Sequence, residues 1–238
     1  MQEKLKRILT EEQIEFTGEN IIKLTTFMDL LQEWNKKMNL TAIESDEEIM
    51  YKHFLDSLLC LKVWDKWENK KIIDIGTGAG FPGIPLKIFE DSIKIDLLDS
   101  LNKRLVFLEN VIENLSLTNV NVIHGRAEDY GKDIDYRQGY DLVLARAVAN
   151  LPILLEFCLP FVKVGGHFIA LKGPEVQEEL TNSEKALETL GGKYVDSKSF
   201  SLMNGQHQRN IMIFEKIFDT PDKYPRKAGI PKKRPIIK

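Results

Sequence analysis

A glycine-rich segment carries the densest chemical signal in this 238-residue chain. Gly76, Gly78 and Gly80 follow an apolar run, 71–75, that is typical of a buried strand. Glycines at this spacing let the backbone turn tightly and let a ligand approach it, because no Cβ stands in the way. Asp99 closes the next apolar run, and its carboxylate could accept hydrogen bonds from two ribose hydroxyls. The segment therefore predicts a site for a ligand that contains a nucleoside.

Two kinds of cofactor fit such a loop. Counted from Gly78, the glycines match the Gly-x-Gly-x-x-Gly fingerprint of dinucleotide-binding proteins, with an acidic residue about 20 positions on. Counted from Gly76, the order is Asp-x-Gly-x-Gly-x-Gly, which resembles motif I of the methyltransferases that use S-adenosylmethionine (SAM). We favour the second count because the glycines should begin directly after the strand, and because the sheet takes up the rest of the chain. An NAD enzyme and a glycine turn without a ligand remain the alternatives.

The ends of later strands supply further polar groups. Ala127 and Glu128 follow the third strand, where a carboxylate or backbone group could bind the amine of an adenine. Arg146 follows the fourth strand, at the position where many methyltransferases bind their substrate. An arginine at a buried edge is costly unless it is paired, so its presence there favours a functional role.

The residue types near these strand ends limit the reaction. The segment 145–148 lacks the Asp/Asn-Pro-Pro-aromatic sequence that usually accompanies methylation of an exocyclic amine. Cys60 and Cys158 lie in apolar helical patterns and are expected to be packed thiols, so neither is a candidate nucleophile for C5 methylation of a pyrimidine. Guanine N7 carries a lone pair and no proton, so its methylation needs alignment but no general base. We assign no catalytic residue and no metal ligand.

Charge is distributed unevenly along the chain. The formal net charge is −3, but residues 216–238 carry eight Lys or Arg and two Asp, so the remaining residues have a net charge of −9. Four prolines in this segment predict that it forms neither a helix nor an inner strand. A basic tail on an acidic body favours a polyanionic partner, and the alternative is a solvated tail that contacts nothing.

The composition, with 43% apolar and 29% charged residues, is that of a soluble globular protein. No apolar run reaches the roughly 18 residues of a membrane-spanning helix, and the amino-terminal residues lack a secretory signal pattern. Two cysteines without metal-ligand spacing argue against a disulfide scaffold or a zinc site. We therefore expect a cytoplasmic protein that acts as a monomer, with no membrane and no metal partner.

The chain divides into three segments by pattern. Residues 1–69 indicate helices only, over 20–38 and 46–63, with Asp46 as the predicted N-cap of the second. Residues 70–216 alternate strands with helices, which predicts a parallel sheet, and residues 217–238 form the tail. The prediction is an α/β, Rossmann-like fold: a seven-stranded, mostly parallel sheet with an antiparallel edge strand, plus the helical extension. The predicted strands are 71–75, 93–98, 120–123, 141–145, 167–171, 194–200 and 210–215, and the helices among them are 102–117, 151–162 and 175–190.

Several segments together resemble one family. They are Trp34-Asn-Lys-Lys-Met-Asn39-Leu-Thr41, His53-Phe-Leu-Asp56-Ser57, Asp74-Ile-Gly76-Thr-Gly78-Ala-Gly80-Phe81-Pro-Gly83, Asp99-Ser-Leu-Asn-Lys103-Arg104, Arg126-Ala127-Glu128, Ala145-Arg146-Ala147 and Tyr224-Pro-Arg226-Lys. These resemble the RsmG family, also called glucose-inhibited division protein B, which methylates guanine N7 in bacterial small-subunit rRNA. The resemblance runs from about residue 20 to 235, and the helical segments make it far more specific than the glycine loop alone.

The resemblance implies methyl transfer from SAM to N7 of one guanine in 16S rRNA, near the decoding centre of the small ribosomal subunit. It places cofactor contacts at Gly76, Phe81, Ala127, Glu128 and Arg146, to which the glycine loop adds Gly78 and Asp99. Candidate RNA contacts are Arg146, Lys172, Arg209, Arg226, Lys232, Lys233 and Arg234. His53 and Asp56 share a helical turn and are predicted to hydrogen-bond the extension to the sheet. The alternatives are a small-molecule methyltransferase, which the basic tail weakens, and a non-catalytic RNA-binding module.

Overall fold

The computed structural model describes residues 1–146, 148–203 and 205–237. Ala147, from one of the quoted segments, and Lys238, at the end of the predicted tail, lie outside these ranges. The α-helices are α1 Gln2–Glu11, α2 Gly18–Met38, α3 Asp46–Glu48, α4 Asp56–Leu58, α5 Gly83–Phe89, α6 Asn102–Asn114, α7 Ala127–Tyr130, α8 Leu151–Cys158, α9 Val176–Asn182, α10 Glu184–Leu190 and α11 Ile230–Lys233. The strands are β1 Lys71–Ile75, β2 Lys94–Asp99, β3 Val120–His124, β4 Tyr140–Arg146, β5 Val162–Lys172, β6 Gly192–Leu202 and β7 His207–Lys216.

The sheet confirms the predicted fold class. Its strand order is β3-β2-β1-β4-β5-β7-β6. The first five strands of the chain pair in parallel, while β7 runs antiparallel to both β5 and β6 at one edge. The order changes direction between β1 and β4, which leaves a crevice at the carboxyl ends of these two strands. The glycine loop follows β1 and therefore lies at this crevice.

Strand β5 begins before its predicted start because the glycine pair at 165–166 does not form a turn. Gly165 and Gly166 lie inside β5, which is 11 residues long rather than confined to 167–171. The pairing of β4 with β5 is irregular there: Tyr140 pairs with Val162, whereas Leu142 pairs with His167. The extra residues bulge out of the ladder, which explains why a glycine pair fits inside a strand.

The amino-terminal extension is helical as predicted, but its second helix is irregular. α2 begins after Thr17, whose hydroxyl accepts a hydrogen bond from the backbone N–H of Asn20. The segment predicted as one helix over 46–63 consists of α3, a π-helix Ile49–Leu55, α4 and a 3-10 helix Leu59–Lys62. Its N-cap is Ser45, and not Asp46 as predicted, because the Ser45 side chain accepts from a backbone N–H of the first turn.

The tail differs from its prediction in two respects: the first of its counted charges is buried, and it contains one helical turn. Lys216 is the last residue of β7 and is fully buried, so its charge does not belong to an exposed tail. Its Nζ donates to the carbonyl oxygens of Leu159 and Leu190, and burial lowers its pKa to about 7. Farther on, α11 forms one helical turn with Pro231 in it, because a proline in the first turn loses no intrahelical hydrogen bond.

Candidate active site

The glycine loop has the backbone geometry that its sequence predicts. Gly76 and Gly78 have φ angles of +70° and +63°, a region that residues with a Cβ rarely adopt. A Cβ on Gly76 would lie 2.8 Å from Cγ2 of Val148. The Gly76 N–H donates to the carbonyl oxygen of Leu98 at 2.8 Å, which ties the loop to the end of β2. Only glycine fits this position, and the loop leaves a cradle beside the strand ends.

Asp74 fixes the shape of this loop through hydrogen bonds to two of its residues. Its side chain is fully buried, and Oδ2 accepts hydrogen bonds from the Thr77 hydroxyl at 2.8 Å and the Gly83 N–H at 3.0 Å. Burial raises the pKa of this carboxyl to about 6. The acid that precedes the glycines is thus a structural part of the cradle.

Two adjoining cavities open at the carboxyl ends of the strands. Gly76, Asp99, Ser100 and Val148 line both. The walls that only the first cavity has are Ile75, Leu98, Gly125, Arg126, Ala127, Glu128, Phe157, Gly229 and Lys232, and we call it the adenosine cavity. The second cavity, called the methyl cavity here, is completed by Leu40, Thr41, His53, Thr77, Gly78, Ala79, Phe81, Arg104 and Arg146. All seven residues that the sequence assigns to the cofactor therefore line one or both cavities.

The carboxylate of Asp99 stands between the two cavities and is held in place. Its Oδ1 accepts from the Leu101 N–H at 2.9 Å. Its Oδ2 accepts from the Gly78 N–H at 2.9 Å and from Arg104 Nη1 at 3.1 Å. An ionised carboxylate has about four acceptor sites, so three protein donors still leave room for a ribose hydroxyl.

Arg146 joins the end of β4 to the helical extension. Its Nη1 donates to the Lys52 carbonyl oxygen at 2.9 Å and to Asp56 Oδ2 at 3.0 Å, and Nη2 donates to His53 Nδ1 at 3.0 Å. Its guanidinium carbon lies 5.0 Å from the centre of the Phe81 ring, within cation–π range. The predicted hydrogen bonds of His53 and Asp56 to the sheet are confirmed, since Arg146 is their partner.

His53 is neutral and fully engaged. Burial, with Arg146 beside it, lowers the pKa of His53 to about 3. Because arginine can only donate, Nδ1 is the acceptor and the ring proton is on Nε2, which lies 3.0 Å from the Thr41 hydroxyl. The ring stacks on Phe81 with centroids 4.3 Å apart. Neither nitrogen is free to take a proton from a substrate.

Asp56 holds two arginines from different strands. Its side chain is fully buried, and Oδ1 lies 2.5 Å from Nε of Arg209, at the start of β7, while Oδ2 binds Arg146. A buried carboxylate between two guanidiniums is well compensated, and removal of either side would leave a charge without its partner. The sequence indicated a contact to the sheet here but not that it joins two strands.

Four of the seven predicted RNA contacts form ion pairs within the protein. Arg146 and Arg209 bind Asp56, Lys172 lies 2.7 Å from Glu179 Oε2, and Arg226 binds Glu156. Lys232 lines the adenosine cavity. Lys233 and Arg234 are exposed, and we find no ion pair for either within the described part of the chain.

Other expectations from the sequence concern cysteine, metal and membrane. Cys60 and Cys158 are fully buried in the core, where burial raises the pKa of both thiols, so the prediction of packed thiols is confirmed. Across residues 1–146, 148–203 and 205–237, no three His, Cys, Asp or Glu side chains cluster as metal ligands. Within the same ranges, every helix is too short or too polar to cross a bilayer.

Sequence reasoning missed two walls of the cleft. Thr41 and Leu40 come from the break after α2, and Gly229 and Lys232 come from the tail. The Asn-Leu-Thr break was a usable signal, because it interrupts the apolar pattern. The tail residues gave none, since their place depends on contacts with residues more than 70 positions away.

The fold and the cleft define a class, the SAM-dependent methyltransferases. A SAM-dependent methyltransferase from Aquifex aeolicus shares the fold, with a TM-score of 0.52, 18% identity, and coverage of 77% of this chain and 98% of that one. A family model described as "rRNA small subunit methyltransferase G" (GidB) matches residues 20–212, so the chain belongs to this family, and SAM is its methyl donor.

Two curated relatives agree with this assignment. The "Ribosomal RNA small subunit methyltransferase G" of Alkaliphilus metalliredigens is 53% identical over 90% of both chains. The protein of the same name from Acetivibrio thermocellus is also 53% identical, over 98% of this chain and 97% of its own length. The resemblance that the sequence motifs indicated is therefore confirmed.

Proposed function

We propose that this enzyme transfers the methyl group of SAM to N7 of a guanine in 16S rRNA of the small ribosomal subunit. The names of its relatives support small-subunit rRNA as the substrate. The exposed basic residues of the tail support a polyanionic partner. We also propose that it acts as a cytoplasmic monomer, with 16S rRNA or the small subunit as its partner.

The cavities fit SAM because each part of the cofactor meets suitable residues. In this proposal Glu128 accepts a hydrogen bond from the adenine amine and Asp99 accepts one from the ribose, and both residues line the adenosine cavity. The backbone turn at Gly76 and Gly78, which has positive φ angles and no side chains, leaves room for the ribose and the sulfonium bonded to it. When bound, SAM supplies a methyl group activated by its positively charged sulfur. Phe81 lies on the methyl side of the cleft.

The observation that carries the choice of guanine N7 is that the methyl cavity offers no free base. Among the described residues that line it, four are ionisable: His53, Asp99, Arg104 and Arg146. His53 is neutral and hydrogen-bonded through both nitrogens, and three donors hold Asp99. A nucleophile that must first lose a proton would lack an acceptor here. Guanine N7 needs none, and its attack depends on alignment alone.

Arg146 is the cation that we propose contacts the guanine. It lines the methyl cavity, and its side chain is 12% exposed. An arginine can donate to guanine O6 beside N7, a pairing that geometry favours. The anchors on Asp56 and His53 would hold the guanidinium in one orientation while the base is aligned. Lys233 and Arg234 are left to contact phosphates outside the cleft.

A labelling experiment tests the reaction. Small subunits from cells that lack this gene are incubated with the enzyme and methyl-labelled SAM, and 7-methylguanine is mapped by borohydride and aniline cleavage followed by primer extension. We expect one stop in 16S rRNA that is absent with a Gly76→Val control. Label found only in small metabolites would favour the small-molecule enzyme, and RNA binding without label would favour a non-catalytic module.

The pH dependence of the same reaction tests the absence of a base. Because His53 has a pKa of about 3, its titration should not affect turnover near neutrality. We expect the single-turnover rates of the enzyme and of His53→Asn to have the same pH dependence, because any inflection from Asp74, whose pKa is about 6, would be present in both. An inflection that disappears in His53→Asn would show that His53 acts as a base.

A further inference from the structure

The tail returns to the cofactor cleft after it leaves the sheet. We call residues 224–232 the tail strap. At its start, Arg137 donates to the carbonyl oxygens of Tyr224 at 2.8 Å and Thr220 at 2.5 Å, and the Tyr224 side chain packs against the core. At its end, Pro231 is buried and α11 packs on α8. The strap is thus docked on the protein rather than free in solvent.

One buried ion pair anchors the middle of the strap. Arg226 meets Glu156, a fully buried residue of α8, in a bidentate arrangement: Nε lies 2.9 Å from Oε1 and Nη2 lies 2.6 Å from Oε2. The backbone N–H of Arg226 also donates to Oε1 at 2.8 Å. Paired hydrogen bonds of this kind fix direction as well as distance. The pair therefore sets the path of the chain that follows.

Three residues beyond this anchor, the strap reaches the adenosine cavity. The Gly229 N–H points to Oε1 of Glu128 at 3.4 Å, and Gly229 has a φ of +82° that lets the chain turn there. Gly229 and Lys232 both line this cavity. Glu128 is the carboxylate proposed to bind the adenine amine, so the strap contacts a group that would bind the cofactor.

We propose that Arg226 is a positioning residue for the cofactor: its pair with Glu156 holds the tail strap so that Gly229 and Lys232 close the adenosine cavity and Gly229 orients Glu128. This inference rests on the proposed placement of SAM. It changes the role expected from the sequence, in which Arg226 was a candidate RNA contact. A guanidinium held by a buried carboxylate offers few donors to a phosphate, whereas the backbone it directs forms part of the cofactor site.

The test compares two neighbouring cations. Arg226→Gln breaks the anchor, and Lys227→Gln removes the same charge from an exposed residue one position away for which the described contacts include no side-chain partner. Because Arg226→Gln leaves a buried carboxylate unpaired, Arg226→Met with Glu156→Gln serves as a second variant without that charge. Arg226→Lys is the conservative variant. SAM affinity is measured by calorimetry, and folding is measured by urea titration. Turnover is measured at saturating and at limiting SAM.

We expect Arg226→Gln and the double variant to raise the Kd and the KM for SAM at least fivefold. Turnover at saturating SAM and the KM for RNA should stay within twofold, Arg226→Lys should recover part of the affinity, and Lys227→Gln should match the unaltered enzyme. A merely structural role would lower the urea midpoint and leave the KM for SAM unchanged, which would overturn the proposal. A raised KM for RNA alone would also overturn it.

Glu128→Gln separates this proposal from the placement of the cofactor. If that substitution weakens SAM while a folded double variant does not, the strap is not a positioning device. If Glu128→Gln leaves SAM affinity unchanged, the adenosine is bound elsewhere and both ideas fail. If Glu128→Gln and the double variant both bind SAM weakly and still methylate RNA, the result supports both the placement of the adenosine and the role of the strap.

Discussion

The two cavities of the cleft are closed by opposite parts of the chain, in different ways. The methyl cavity is covered by the helical extension, where Asp56 binds two arginines and His53 is hydrogen-bonded through both ring nitrogens. The adenosine cavity is lined on one side by the tail strap, in which the Gly229 N–H lies 3.4 Å from Glu128 Oε1. One wall is a buried charged network, and the other is a backbone segment anchored at a distance.

This difference suits the two tasks of the cleft. The methyl group must meet its acceptor within a narrow range of geometries, and buried ion pairs keep the residues of that wall in one arrangement. The tail strap meets Glu128 through one backbone N–H, and its own ion pair lies three residues before that contact, so its hold on the cavity is indirect. The following predictions test the contrast, from the largest expected effect to the smallest.

Of the substitutions considered, Asp56→Asn should have the largest effect, because it disrupts the ion-pair network that covers the methyl cavity. It leaves Arg146 and Arg209 without their shared carboxylate, so we expect a loss of about 3–5 kcal/mol in the free energy of unfolding. We also expect single-turnover methylation to fall at least tenfold, because Arg146 loses an anchor. Urea unfolding and quench-flow measurements provide the two quantities.

The control for this substitution is a partly exposed ion pair in the same segment. Glu48 pairs with Lys52 at 2.6 Å near the surface, where such pairs contribute little. Glu48→Gln should therefore alter stability and turnover far less than Asp56→Asn. Equal effects from the two substitutions would mean that burial of the network is not what stabilises this wall.

Gly76 lines both cavities, so Gly76→Ala should affect the binding of SAM in both. The new Cβ would meet Val148, so we expect SAM to bind at least tenfold more weakly, about 1.4 kcal/mol. Gly165→Ala is the matched control, since Gly165 also has a positive φ, +82°, but a Cβ there meets nothing within 4 Å. Calorimetry with SAM should show a loss for the first variant only. A similar loss in both would attribute the effect to general backbone strain.

The exposed charges of Lys233 and Arg234 should affect the affinity for RNA and leave the affinity for SAM unchanged. Each phosphate contact contributes roughly −0.7 to −0.9 to the slope of log affinity against log salt concentration. Lys233→Gln with Arg234→Gln should flatten that slope by about 1.5 and leave SAM affinity unchanged. Lys94→Gln, an exposed charge at the amino end of β2, is the control. An unchanged slope would show that RNA is bound elsewhere, most directly at the Arg146 side.

The sheet was predictable because its signals are local. Strand β1 matches its prediction to the residue, and the glycines after it identify the cofactor loop. Burial on both faces gives such strands short apolar runs that the next turn interrupts. All seven cofactor candidates line the cleft for the same reason, since each is the last residue of a strand or lies within a few residues after a strand end.

The partners of charged residues were not predictable in this way. Arg226 and Glu156 are 70 positions apart, and nothing in either local sequence shows that one covers the other. The charge count of the tail therefore overstated the number of cations that RNA could contact. Lys216 and Arg226 both form hydrogen bonds inside the protein. Pairing of buried charges depends on the tertiary fold, whereas helix and strand periods do not.

The place of Gly229 and Lys232 also affects how the enzyme is made. Domains fold largely as their residues emerge from the ribosome, at about 5–20 residues per second. The last of the parallel strands, β5, ends at Lys172, more than 50 residues before Gly229, so the parallel strands and the glycine loop can form while the residues that wall the adenosine cavity are still inside the ribosome. The nascent chain thus has a floor for the cofactor before it has both walls. Loading with SAM becomes complete only after residues 229–232 have left the ribosome.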